Sequence, residues 1–162
     1  MVDHEDESSY SDDGRYRWWF RRSWADRPGL CWVGLNPSTG DTTGRPRPTL
    51  RKVVARANAM GLGSVTVVNL FAWRCTRPRD LWAAAKREDV IGAENDDVIR
   101  KASEDAAVTL AAWGAHGRLL GRGASVLPLL HAPVCLGVTA RGEPRHPLYV
   151  PGDRTMEPYL RP

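Results

Sequence analysis

Four apolar runs punctuate this chain, and each gives way to residues that cannot extend a buried strand. The first, Leu30-Cys31-Trp32-Val33, runs into Gly34-Leu35-Asn36-Pro37-Ser38-Thr39, where glycine permits a turn and proline forbids further pairing. Residues 64–69, 108–112 and 134–138 repeat the pattern, leading into Asn69, Trp113-Gly114, and Thr139 followed by His146-Pro147. Between the first two runs, Leu50, Val53, Val54, Ala57 and Met60 fall at helical spacing, with Thr49 as N-cap and Gly61 and Gly63 as the stop. Residues 81–86, 91–102 and 123–131 read as further helices. Strand and helix alternate, so the expected fold is α/β: a three-layer α/β/α sandwich around a central, mainly parallel four-stranded sheet.

Right-handed crossovers would bring the ends of those four strands along one rim, where open α/β sheets bind ligands. The rim then carries two amides, Asn36 and Asn69, and one histidine, His146. An Asn side chain donates and accepts at once, which matches the mixed edge of a nucleobase, and a histidine can donate to a developing oxyanion.

At 162 residues the chain fits one domain. Asp3, Glu5, Asp6, Glu7, Asp12 and Asp13 crowd the first thirteen residues without a Lys or Arg, so the net charge of +4 conceals a remainder at +10. Residues 1–13 are expected to be a disordered acidic tail, leaving a single basic domain over residues 14–162. The aromatic, basic stretch 15–22 reads as an edge strand. A basic body suits a polyanion such as DNA. Cys31, Cys75 and Cys135 are too scattered for a zinc or iron–sulfur set, so no metal or other cofactor is expected. Their odd number and the lack of a signal peptide argue against a disulfide framework. No apolar run approaches the roughly 20 residues of a membrane span. The expectation is a cytoplasmic monomer without membrane contact.

Two resemblances rest on these motifs. Gly34-Leu35-Asn36-Pro37-Ser38, Val67-Val68-Asn69, Ala112-Trp113-Gly114 and His146-Pro147-Leu148 resemble, in order, the motif series of the uracil-DNA glycosylase superfamily. There a Gly-x-(Asp/Asn/Glu)-Pro loop positions the attacking water and a strand-terminal Asn reads the flipped pyrimidine. A Trp-Gly pair ends the next strand, and a His-Pro loop contacts the leaving base and wedges into DNA. Over about residues 15–150 the chain also resembles domain-of-unknown-function family 1643. The shared segments are Leu-Asn-Pro-Ser, Pro48 to Arg51, Asn69 to Ala72, Gly92 to Asp96, Trp-Gly and Pro144 to Tyr149. Arg47 departs from that family, which often has Asp before Pro-Thr.

The superfamily resemblance implies a DNA glycosylase that hydrolyses the N-glycosidic bond of a flipped pyrimidine, with Asn36 and His146 as catalytic residues. Asn36 would hold water near C1′ and His146 would stabilise charge on the departing base. Gly34, Leu35, Pro37, Ser38, Asn69 and Phe71 would surround the base. Arg51, Arg74, Arg145, Pro147, Leu148 and Tyr149 would meet DNA, with Leu148 or Tyr149 filling the vacated stack. Ser38 stands where uracil-specific relatives carry a tyrosine, which implies a base enlarged at C5. Two other readings stay open: a non-catalytic nucleic-acid or nucleotide-binding module, and a hydrolase of free modified nucleosides or nucleotides. The residues also have plainer roles: Asn36 in a local turn, Asn69 capping residues 70–74, His146 in an exposed loop, Trp113-Gly114 in packing, and Arg51, Arg56 and Arg74 on a solvated face.

Overall fold

The computed structural model describes residues 3–39 and 47–160. Its centre is β3 (Gly29–Gly34), buried from Leu30 onward and flanked by β4 (Ser64–Asn69) and β5 (Val108–Ala111). Both run parallel to β3, and β6 (Val134–Cys135) runs parallel to β5. The β3–β4 register sets Gly34 directly beside Asn69. Side chains alternate across the strands. Cys31, Val33, Val68 and Ala111 enter one core, together with Ile99 of α3 (Asn95–Asp105). Leu30, Trp32, Val67 and Leu110 enter the other, with Leu50, Val53 and Ala57 of α1 (Pro48–Ala59). The two helices therefore cover opposite faces of a mixed sheet.

The expected sheet of four strands is too small. Seven strands are present among the described residues, in the order β1 (Glu5–Tyr10), β2 (Arg17–Ser23), β4, β3, β5, β6 and β7 (Glu157–Pro158), and three pairings are antiparallel. One of the added strands overturns the reading of residues 1–13 as a disordered tail: Glu5–Tyr10 forms β1, antiparallel to β2 (Arg17–Ser23). The cause is charge complementarity across the ladder, where Asp6 faces Arg22 and Glu7 faces Arg21. Arg22 grips the Asp6 carboxylate with two hydrogen bonds of 2.8 Å, and these hold that carboxyl below its ordinary pKa. Composition showed the acids but not their partners. Residues 15–22, expected at an edge, are accordingly covered by β1. At the other edge, β7 (Glu157–Pro158) pairs with β6.

Helix and strand limits shifted where a glycine or proline intervened. α1 begins at Pro48 after N-cap Arg47, so Thr49 lies inside the helix and does not cap it. α3 starts at Asn95, later than the expected 91, because Gly92 turns at a φ of +92°. The helix expected over 123–131 divides into α4 (Arg122–Val126) and a 3-10 turn containing Pro128. β6 stops at Cys135, since Gly137 leaves the extended region at a φ of +95°. The helix expected at 81–86 is α2 (Pro78–Ala84). Among the described residues, no helix is long and apolar enough to cross a membrane.

Candidate functional site

A cavity of about 990 Å³ opens where β3, β4 and β5 end, bounded by the start of α1 and by the 145–149 loop. Its wall includes Asn36, Asn69 and His146, so the three residues expected on one rim do meet around one space. The β3 and β4 ends are locked together beyond the sheet. The Leu70 amide donates to Gly34 O, that of Phe71 to Leu35 O, and that of Cys75 to Pro37 O, at 2.9, 3.0 and 3.1 Å. Main-chain bonds of this kind hold the loop in position before any ligand arrives.

Asn36 spends its donors inward. Its Nδ2 donates to Cys75 O at 2.8 Å and Pro37 O at 3.1 Å, and touches Cys75 Sγ at 3.3 Å. Those carbonyls fix which end of the amide is which. Oδ1 is the end left to accept a hydrogen bond from the cavity. The bond to Pro37 O is local but is not an Asx turn, in which Oδ1 would accept an amide two residues on, and the bond to Cys75 O crosses to another loop. Burial pushes the neighbouring Cys75 thiol up to about 11, so the sulfur stays protonated at neutral pH.

Asn69 is 3 % exposed, and its Nδ2 meets no acceptor. Leaving such a donor unpaired costs roughly 1–3 kcal/mol. No helix begins at residue 70, so Asn69 is not a cap. The strand end that carries it is braced from behind. Asn95, fully buried at the start of α3, donates through Nδ2 to the carbonyls of Asn69 and Leu70 at 2.9 and 3.1 Å. Arg122 of α4 donates to Leu70 O at 2.8 Å and pairs with Asp96. The Gly92-to-Asp96 segment thus supports the rim without touching the cavity.

His146 accepts the Leu148 amide on Nδ1 at 3.2 Å, which leaves the proton of the neutral ring on Nε2. Desolvation lowers its pKa below the ordinary value of 6.5, favouring that neutral form. Behind it, Gly114 turns at a φ of +77° and donates to Pro144 O at 2.9 Å. A Cβ on Gly114 would lie 3.4 Å from His146 Cβ. Trp113 is anchored by its Nε1–H to the buried Glu143 carboxylate at 2.7 Å. Trp113 is thus held by packing while also lining the cavity, and Gly114 supplies the turn.

Gly34, Leu35, Pro37 and Ser38 also line the cavity, whereas Phe71 does not: it is fully buried in the core. Of the residues expected to meet DNA, Arg145 and Tyr149 reach the cavity wall. Tyr149 is 73 % exposed, its ring 5.7 Å from that of His146. Leu148 is exposed beside it and Pro147 is buried, both outside the wall. Arg51 is exposed on α1, away from the cavity. Arg74 is structural, donating to Gly14 O at 3.0 Å with its guanidinium 4.9 Å from the Tyr10 ring.

Among the wall residues that the sequence reading gave no part in the site are Arg17, Trp32, Arg47 and His116. Arg17 and Trp32 sit inside strands and passed as edge and core residues. His116, whose Nδ1 accepts from Trp82 Nε1 at 3.0 Å, lies two residues past the Trp-Gly turn, and that position was the available signal. The described wall contains three arginines and two histidines but no Asp or Glu.

The fold and site define a mixed α/β protein with an electropositive cleft at the carboxyl ends of its parallel strands. Residues 17–148 match the family model described as protein of unknown function, DUF1643, and the chain belongs to that family. No curated protein and no solved structure matches it.

Proposed function

We propose that this protein is a DNA glycosylase that hydrolyses the N-glycosidic bond of a pyrimidine turned out of the helix into the cavity, on a three-layer fold of the uracil-DNA glycosylase kind. The observation that carries this reading is the unpartnered Nδ2 of Asn69, a buried donor on a residue that walls the cavity together with Asn36 and His146. A base carbonyl would supply the missing acceptor. Asn36 Oδ1 would accept a hydrogen bond from water and aim its oxygen at C1′. As the C1′–N bond breaks, the base leaves with the bonding pair. The water oxygen bonds C1′ and its spare proton passes to solvent or to the base. His146 Nε2–H would donate to the negative charge growing on the base oxygen, a task for a neutral imidazole. Tyr149, exposed at the rim, would occupy the gap in the stack. Ser38 leaves room at C5, so a 5-substituted base is preferred over uracil.

The absence of a carboxylate from the described wall favours a second reading, a module that binds a nucleotide without cleaving it. Single-turnover base release from duplexes carrying uracil, thymine, 5-hydroxymethyluracil and 5-hydroxymethylcytosine separates the two. Catalysis predicts release that falls about a hundred- to a thousandfold in Asn36→Ala and His146→Ala with DNA affinity retained. Full activity in both variants would sink the mechanism, and binding without turnover in the wild type would leave the module.

A further inference from the structure

We infer that the α1 end of the cavity is a seat for a phosphate group, so that the ligand is recognised as a nucleotide and not by its base alone. This rests on the reading of the cavity as a base site and extends it. Pro48, Thr49 and Leu50, the first turn of the twelve-residue α1, line the cavity. Helix N-termini are usually closed by a Ser, Thr, Asp or Asn side chain or met by an acid in the first turn. α1 has neither: no side-chain hydrogen bond caps it, no acidic residue lies in its first turn, and the N-cap position holds a cation, Arg47. The amides of Thr49 and Leu50 stand too early in the helix for an intrahelical acceptor. They present two N–H groups and the positive end of the helix dipole to the cavity, the arrangement that binds anions.

A second observation, independent of the helix, points to an acceptor-rich ligand. Trp32 is 8 % exposed, lines the same cavity, and its Nε1–H has no acceptor. A Cβ built on Gly34 would lie 3.7 Å from that nitrogen and 2.8 Å from Asn69 Oδ1, so glycine leaves a notch between the two orphaned side chains. Trp32 and Leu50 belong to one packed cluster, which brings the indole to the α1 side of the floor. Asn69 is assigned to the base; Trp32 Nε1 and the helix amides are left for the phosphate oxygens. The arginine-bearing, carboxylate-free wall favours the same charge.

The test is calorimetric titration of the full chain with orthophosphate, 5-hydroxymethyl-2′-deoxyuridine, its 5′-monophosphate, and a duplex carrying that base. The monophosphate should bind about ten- to a hundredfold tighter than the nucleoside, as expected for charge-assisted hydrogen bonds. Thr49→Glu sets a carboxylate at the helix start, where it suits the dipole and keeps the fold. It should erase that advantage without lowering the melting temperature or the nucleoside affinity, and Trp32→Phe should reduce it. If only the duplex loses affinity in Thr49→Glu, the phosphate is a backbone diester and the seat stands. Equal binding of nucleoside and monophosphate with an unchanged duplex affinity in Thr49→Glu overturns it, as does the absence of any binding. A phosphate advantage that survives while Asn69→Ala leaves nucleoside binding unaltered refutes the base reading alone.

Discussion

Asn95 and Asn69 are joined by a hydrogen bond of 2.9 Å from side-chain Nδ2 to main-chain oxygen, and the same Nδ2 also reaches Leu70 O. One buried amide therefore holds the turn that ends β4, and with it the direction of the Asn69 side chain. Asn95→Ala strips partners from two carbonyls and leaves a gap, at a cost of about 2–4 kcal/mol. Urea unfolding measures it, and a loss below about 0.5 kcal/mol would mean the bonds are dispensable.

Gly34→Ala is expected to separate stability from binding. The strand backbone tolerates alanine, but the new methyl meets Asn69 Oδ1 at 2.8 Å, inside contact distance. Repacking costs about 1–3 kcal/mol. Displacing Asn69 should remove most base-dependent affinity, so a variant that binds as the wild type does would show that Asn69 points elsewhere.

Acid should loosen the fold through His146. Burial lowers its pKa below 6.5, so the unfolded chain takes up a proton there before the folded chain does. The stability tied to this site is whole above pH 6.5 and falls as the pH drops from 6.5 towards the lowered folded value. Protonation would also put a hydrogen on Nδ1, against the Leu148 amide that now donates to it. Denaturation midpoints of wild type and His146→Gln across pH 5–8 check this. The acid-side decline should be shallower in the variant.

Removing residues 1–10 should destabilise the domain and promote self-association, because β2 would present an unpaired edge. Asp6→Asn isolates the ionic part. That pair is half-exposed, so its loss costs at most about 1 kcal/mol and fades in high salt. Sedimentation and thermal melts at two ionic strengths decide between the contributions.

The parts of the site legible in the sequence were those with local chemistry. Asn36 stands between a strand-like run and a proline, Asn69 ends another run, and His146 precedes a proline, so turn rules placed all three near strand ends. Trp32 was hidden because an indole inside an apolar run has the composition of core, and only tertiary structure reveals that its N–H lacks a partner. Asn95 was hidden in a helix read as starting at residue 91. β1 was missed for a related reason: six acids in thirteen residues look unfoldable until Arg21 and Arg22 are laid beside them. Phe71 and Arg74 were misplaced by adjacency, since the chain after Asn69 turns one into the core and the other towards Gly14.

The charge of that acidic strand extends beyond its hydrogen-bonded partner Arg22, since Asp6 also interacts electrostatically with Arg47 of the cavity wall. β1 lies at one margin of the sheet, with β2 and β4 between it and β3, whose end opens into the arginine-bearing cavity. Glu5 and Glu7 are exposed at that margin, in a chain that is otherwise strongly basic. Separated charge of this kind gives the molecule an electric moment. A polyanion of the kind proposed above would feel a torque that turns the acidic margin away before collision, and salt would weaken it. On the proposed reading, with DNA as the partner, the first strand of the fold would act as a rudder, raising the share of encounters that begin with the cleft facing the duplex.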